Sequence, residues 1–268
     1  MTTIDAYTGI PELTVALHDG VLSVTLNRPD SLNSLTAPML ATLADTLERA
    51  ADDPRVRVVR LGGAGRGFCS GAGISADDQS NRSPDTPDEV LLEANRTVRA
   101  IVALPKPVVA VVQGPAAGVG VSLALACDVV VASEEAYFLL AFTKIGLMPD
   151  GGASALVAAA VGRIRAMRMA LLAQRISAAD ALTFGLVSAV HPADELDAAV
   201  ASVIQTLVSG PAIALRKTKQ AINEATLTEL DAAIGRESDG QLILLESHDF
   251  REGTRAFQER RPPTFTDS

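Results

Sequence analysis

Leu13, Val15 and Leu17 alternate with small or polar residues, as do Leu22, Val24 and Leu26. Alternation places every second side chain on one face of a strand. Asp19-Gly20 lies between the two runs and supplies a tight turn, so a β-hairpin is predicted. NRPDSLNSL (27–35) breaks the pattern and reads as a loop. Thr36 then caps a helix in which Leu40, Leu43 and Leu47 recur at helical spacing, and Asp52-Asp53-Pro54 ends it. Val56 to Leu61 reads as a short strand and GGAGRG as the turn after it. The most polar stretch, SADDQSNRSPDTP (75–87), is expected to be a mobile surface loop. A helix follows from about Asp88 to Leu104 and stops before Pro105 and Pro107. PVVAVVQG (107–114) and residues 127–132 are apolar runs of strand length. From Ser154 onward the spacing is helical. Ser177 and Asp180 stand as a capping box, and Gly185 closes that helix. Long helical patterns fill 194–209, 211–225 and 227–246.

Strand, strand and helix over 13–52 are echoed weakly by strand, turn and helix over 56–104 and 107–126. That echo predicts an α/β fold built as a coil of β-β-α units with a helical C-terminal region. The division expected is 1–195 for the spiral core and 196–268 for the helical region. Periodicity by itself leaves other layered α/β folds open.

The 268 residues are 48% hydrophobic, enough for a large core. No window of 18 residues is uninterruptedly apolar, so no membrane span is expected. MTTIDAYTGIPEL lacks the basic and apolar segments of a secretory signal. Cys69 and Cys127 are the two cysteines; they suit neither a disulfide framework nor a metal cluster and point to a reducing cytoplasm. A net charge of −9 and the absence of Trp argue against a nucleic-acid partner. A small acidic ligand stays open, because local cations and helix N-termini can hold one.

Three stretches carry candidate chemistry. In GRGFCSGAGIS (65–75) Gly71 and Gly73 flank Ala72, and in GPAAGVGVSLALACD (114–128) Gly118 and Gly120 flank Val119 at the start of an alanine-rich helix. Two amides from such turns can converge on one oxygen as an oxyanion hole. Ordinary strand-to-helix turns would carry the same glycines. KIGLMPDGGAS (144–154) sets one carboxylate, Asp150, between an apolar run and Gly151-Gly152. That acid reads either as a base whose pKa is raised by apolar company or as the N-cap of the next helix.

Taken in order, NRPDSLNSL, GFCSGAGIS, GPAAGVGVSLALACDVVVAS and KIGLMPDGGAS, with FQERRPPTF at 257–265, resemble the enoyl-CoA hydratase/isomerase (crotonase) superfamily over essentially the whole chain. The resemblance implies a crotonase-like β-β-α spiral and an acyl-CoA substrate. Coenzyme A would be carried by the substrate, with no resident cofactor and no metal. It also implies association as a homotrimer or dimer of trimers through the C-terminal helices. It places the oxyanion-hole amides on Ala72 and Val119, the latter where the family often has glycine. Arg28, Ser70, Ala72, Gly73, Ile74 and Gly118 fall on the coenzyme A side, with Gly73 where an aspartate is frequent.

The two glutamates that activate water in hydratases would fall at Ser122 and Phe142, neither of which acts as a carboxylate does. Asp150 matches the position at which isomerases that move a double bond carry an acid. The expected activity is therefore isomerisation of an enoyl-CoA with Asp150 as proton shuttle. The alternatives are a hydratase using another acid, for which Asp77, Asp78, Glu89 and Glu93 are candidates, and a non-catalytic acyl-CoA binder. Dehalogenation would need a histidine near the site, and His18, His191 and His248 lie outside these motifs. The cysteines read as small core residues. Lys144, Arg163, Arg165 and Arg168 read as a solvated or inter-subunit face, and Arg216, Lys217 and Lys219 as a solvated helix face, with an approach to coenzyme A phosphates of the same or a neighbouring subunit as the alternative.

Overall fold

The structure, a computed structural model, describes residues 7–75, 78 and 88–266. β1 (Leu13–His18) and β2 (Val21–Leu26) form the expected hairpin, paired from Leu13 opposite Leu26 to His18 opposite Val21. Asp19 and Gly20 both take positive φ, 47° and 83°, which is the turn geometry that matches strand twist. β3 (Val58–Gly63), β4 (Val108–Val112), β6 (Val129–Ser133) and β9 (Ala189–His191) extend the sheet in parallel, in the order β1-β2-β3-β4-β6-β9. Parallel strands need crossovers, and these carry α1 (Ala37–Asp52), α2 (Glu89–Ala103) and α3 (Val119–Ala126). A second sheet joins β5 (Pro115–Ala117), β7 (Tyr137–Leu139) and β8 (Ile176–Ser177). The remaining helices are α4 (Ala153–Val161), α5 (Arg163–Leu172), α6 (Ala178–Phe184), α7 (Leu196–Ser209), α8 (Ala212–Thr226), α9 (Leu230–Leu245) and α10 (His248–Gln258).

Alternate residues of β4 explain its unbroken apolar run. Val108, Ala110 and Val112 enter the main core with Leu40, Leu43, Val98 and Ile101, while Val109 and Val111 meet Leu196 and Val200 of α7 on the opposite face. A strand covered on both sides has no polar positions to show. Thr36 caps α1 by accepting from the Met39 amide, and Ser177 caps α6 by accepting from the Asp180 amide. Gly185 ends α6 in the left-handed conformation, as the sequence pattern predicts.

Some expectations shift. β3 begins at Val58 because Val56 belongs to the turn after α1, where its amide donates to the Asp53 carbonyl at 3.1 Å. Lys219 is not on a solvated face. It is buried, paired with Asp128 at 2.9 Å, and donates to the Ile101 and Lys106 carbonyls. Its ammonium therefore docks α8 against the end of α2. The expected loop at 75–87 lies outside the described residues apart from Ser75 and Asp78. Among the described residues no single helix is long and apolar enough to cross a membrane. Nor does any group of three or more His, Cys, Asp or Glu side chains among them suit a metal ion.

Candidate active site

Two glycine turns meet at the end of the parallel strands. Gly71 and Gly118 have φ of +92° and +53°, and a Cβ on Gly71 would lie 2.9 Å from the Ala117 carbonyl oxygen and 3.4 Å from the Gly118 Cα. Only glycine at both places permits that approach. Ala72 and Val119 are the next residue in each of the two touching turns. Leu35 pairs with Ala72 by donating to the Gly71 carbonyl and accepting from the Gly73 amide, so the Ala72 N–H faces away from Leu35. The Val119 N–H opens α3, and the carbonyl one helical turn earlier, that of Pro115, is taken by the Phe68 and Cys69 amides. Among the described residues neither the Ala72 nor the Val119 N–H has a hydrogen-bond acceptor.

The 65–72 turn is held from below by Asn33. Its buried amide donates to the Ala64, Gly67 and Phe68 carbonyls and accepts from the Arg28 N–H at 2.9 Å. This accounts for the unusual positive φ of Asn33 (59°), a conformation Asn tolerates better than most residues.

Asp150 lies across from the Val119 turn. Gly151 packs against Ser122 and the Val119 side chain, and the Ser122 hydroxyl donates to the Asp150 carbonyl at 2.9 Å. Asp150 is only 7% exposed. Its Oδ2 accepts from Gln241 Nε2 at 2.6 Å, and its buried Oδ1 has no partner among the described residues. Burial pushes the carboxyl up to about 7, the Gln241 hydrogen bond opposes that rise, and the nearby Glu237 charge adds to it.

The carboxylate does not cap α4. The N-cap position is Gly152, and the acid that serves the helix is Glu237 of α9. Its two oxygens accept from the Gly152 amide at 2.6 Å and the Ser154 amide at 2.7 Å. Glu237 is itself buried, and burial raises its pKa while those hydrogen bonds hold it down. A buried carboxyl titrating near neutrality with one oxygen unoccupied can both take and return a proton.

The other candidate positions fall as follows. Phe142 is buried against Gly118 and Ser122 is fully buried beside Gly151, and neither place assigned to a hydratase glutamate carries an acid. The Arg28 guanidinium donates to Ser34 and forms an ion pair with Asp78 at 2.9 Å. The Asp78 carboxylate occupies the space a Cβ on Gly73 would need, which sets an acid beside position 73. Burial pushes the Asp78 carboxyl up, but the Ser75 and Arg28 hydrogen bonds prevail and hold it below its usual range. Ser70 donates its hydroxyl to the Ser31 carbonyl, and the Ile74 carbonyl accepts from Gln258 of α10. Glu93 pairs with Arg96, and Asp77 lies outside the described residues. Burial pushes both cysteine thiols up, Cys69 to about 12, as expected of inert core residues.

Glu237 and Gln241 were absent from the sequence-based candidates. A signal existed: in α9 the buried positions Leu230, Ala233, Ile234, Glu237 and Gln241 follow one helical face, so two polar residues stand where the pattern calls for apolar ones.

The profile of the enoyl-CoA hydratase/isomerase family matches residues 16–268, and the chain belongs to that family. The 1,2-epoxyphenylacetyl-CoA isomerase of Escherichia coli (strain K12) is 40% identical over 252 residues, 93% of this chain and 96% of the relative. Among solved structures, an enoyl-CoA hydratase from Mycobacterium avium subsp. paratuberculosis K-10 shares 68% identity and superposes with a TM-score of 0.91, covering 97% of this chain and 100% of that one. An enoyl-CoA hydratase/isomerase from Pseudoalteromonas atlantica T6c shares 35% identity with a TM-score of 0.85, covering 95% and 100%. The fold is thus the crotonase spiral, and the protein is an enzyme of a family whose members are named both isomerase and hydratase.

Proposed function

We propose that this enzyme shifts the double bond of an enoyl-CoA thioester. The Ala72 and Val119 amides hold the thioester oxygen, which acidifies the α-carbon and stabilises the enolate that forms. Asp150 removes a proton from one carbon of the acyl chain and returns it to another, ending in its starting state. The observation that carries this reading is the division of labour between two acids: Glu237 caps α4, which leaves Asp150 buried with a free oxygen. Hydration needs an ordered water held by carboxylates, and the positions for them are Ser122 and Phe142. Coenzyme A enters as part of the substrate, along Arg28, Ser70, Gly73, Ile74 and Gly118. Residues 1–195 form the catalytic core, and residues 196–268 close the pocket and mediate association in the cytoplasm.

Association into trimers or hexamers is supported by exposed apolar side chains on the C-terminal helices, where Ile213 of α8 and Ile243 of α9 are 71% and 73% exposed. Light scattering at micromolar concentration checks it, and a stable monomer contradicts it. The activity is tested by assaying Δ3-to-Δ2 isomerisation and crotonyl-CoA hydration side by side. Isomerisation is expected to exceed hydration, and fast hydration with no isomerisation overturns the proposal.

A further inference from the structure

We propose that Gln241 is a positioning residue for Asp150, which fixes Oδ2 as a permanent acceptor and leaves Oδ1 as the oxygen that exchanges the proton. The inference rests on the reading of Asp150 as the base and adds how that base is aimed. The Met148 N–H can only donate, and it meets Gln241 Oε1 at 3.2 Å. That contact determines which end of the amide is which, so the other end is the NH2 group. Nε2 has two hydrogens, and both are placed: one on the Met148 carbonyl at 3.1 Å and one on Asp150 Oδ2 at 2.6 Å. The amide is saturated and cannot turn without breaking all three contacts.

A fixed donor facing Oδ2 makes that oxygen an acceptor in both protonation states, because a proton placed there would confront the Nε2 hydrogen. The titrating proton therefore sits on Oδ1, which is buried and has no partner among the described residues. α9 also packs against this segment: the Met148 sulfur sits where a Cβ on Gly240, beside Gln241, would be. One turn earlier Glu237 holds Gly152 and Ser154. The same helix thus grips the Asp150 turn on both sides. Around Asp150 among the described residues, α9 presents Gln241 and the charge of Glu237, and α3 presents Ser122, with Val119 against the neighbouring Gly151; of these only Glu237 titrates.

The test compares Gln241→Leu and Gln241→Glu with the native protein and Asp150→Asn. It measures kcat and KM for isomerisation of a Δ3-enoyl-CoA, the acid limb of kcat/KM against pH, and the melting temperature. Gln241→Leu is expected to lower kcat by about 10–10²-fold with little change in KM. Its acid limb moves to higher pH, because the carboxylate loses the donor that stabilises it. Gln241→Glu keeps an acceptor for the Met148 N–H but sets a second carboxyl against Oδ2. The pair then shares a proton, and the limb again moves up. A merely structural glutamine would lower the melting temperature and leave the limb where it is, and that outcome overturns the proposal. Where the leucine variant does not fold, the isosteric glutamate variant decides by the same criterion. Native turnover in Asp150→Asn, or none in the native protein, defeats the base itself. Loss in Asp150→Asn alongside native rate and limb in both Gln241 variants defeats only the positioning role.

Discussion

Asp150 and Glu237 are both buried carboxylates near the start of α4, yet their surroundings assign them opposite work. Glu237 spends both oxygens on helix amides, as a cap does. Asp150 has one oxygen on an uncharged amide and the other on nothing among the described residues. Burial alone raises both groups. Partners decide the rest: an acid whose lone pairs are filled by N–H groups is stabilising and a poor base, while an acid with an open oxygen costs stability and is free to react. Glu237, on a distant helix, thus takes the capping contacts that the sequence position of Asp150 would otherwise suggest.

The comparison is broken most directly at Asp150. Asp150→Asn keeps the size and the Gln241 contact, and is expected to cut isomerase turnover by about 10²-fold or more in a steady-state assay, with acyl-CoA binding retained. Unchanged turnover would return Asp150 to a structural role. Glu237→Ala reads out differently, through folding. It strips two buried amides of their acceptor and is expected to lower stability by about 2 kcal/mol, measured by denaturant titration.

Burial raises both acids above their usual range, and Asp150 gives the pH dependence that can be tested. The folded-state pKa of Asp150 is raised from 3.8 to about 7, so the native state binds the proton more tightly than the unfolded chain. Stability therefore falls as pH rises from about 4 to about 7 and levels off above. Asp150→Asn removes this loss. Its melting temperature relative to the native protein should climb across that window, and a constant difference would contradict the assigned environment. The smallest effect is expected at Ser122. Ser122→Ala removes a donor to the Asp150 carbonyl, which still accepts from the Ala153 amide at 3.2 Å, so a loss of about 1 kcal/mol or less should appear in the same titration.

Much of this was legible in the chain. The hairpin, α1, α2 and the strands β3, β4 and β6 follow from apolar patterning, because each buries one face or two and repeats that demand along its length. β5, β7, β8 and β9 run two or three residues each, too short to show a period, and α10 is announced only by its Ser247 cap. Lys219 shows why a charge in a helical pattern misleads: its partner Asp128 lies 91 positions away, and no local rule brings them together.

At the site the sequence determined which residues could react. It fixed the glycines that let two turns touch, the single acid ahead of α4, and the absence of carboxylates at Ser122 and Phe142. What it could not determine was how Asp150 is used, since a cap and a base are the same residue before the same helix. Only the packing of α9 against that turn shows that the cap contacts are made by Glu237 and not by Asp150. Glu237 reaches Gly152 across 85 positions and Gln241 reaches Asp150 across 91, and hydrogen bonds between elements so far apart exist only once the core has closed around them.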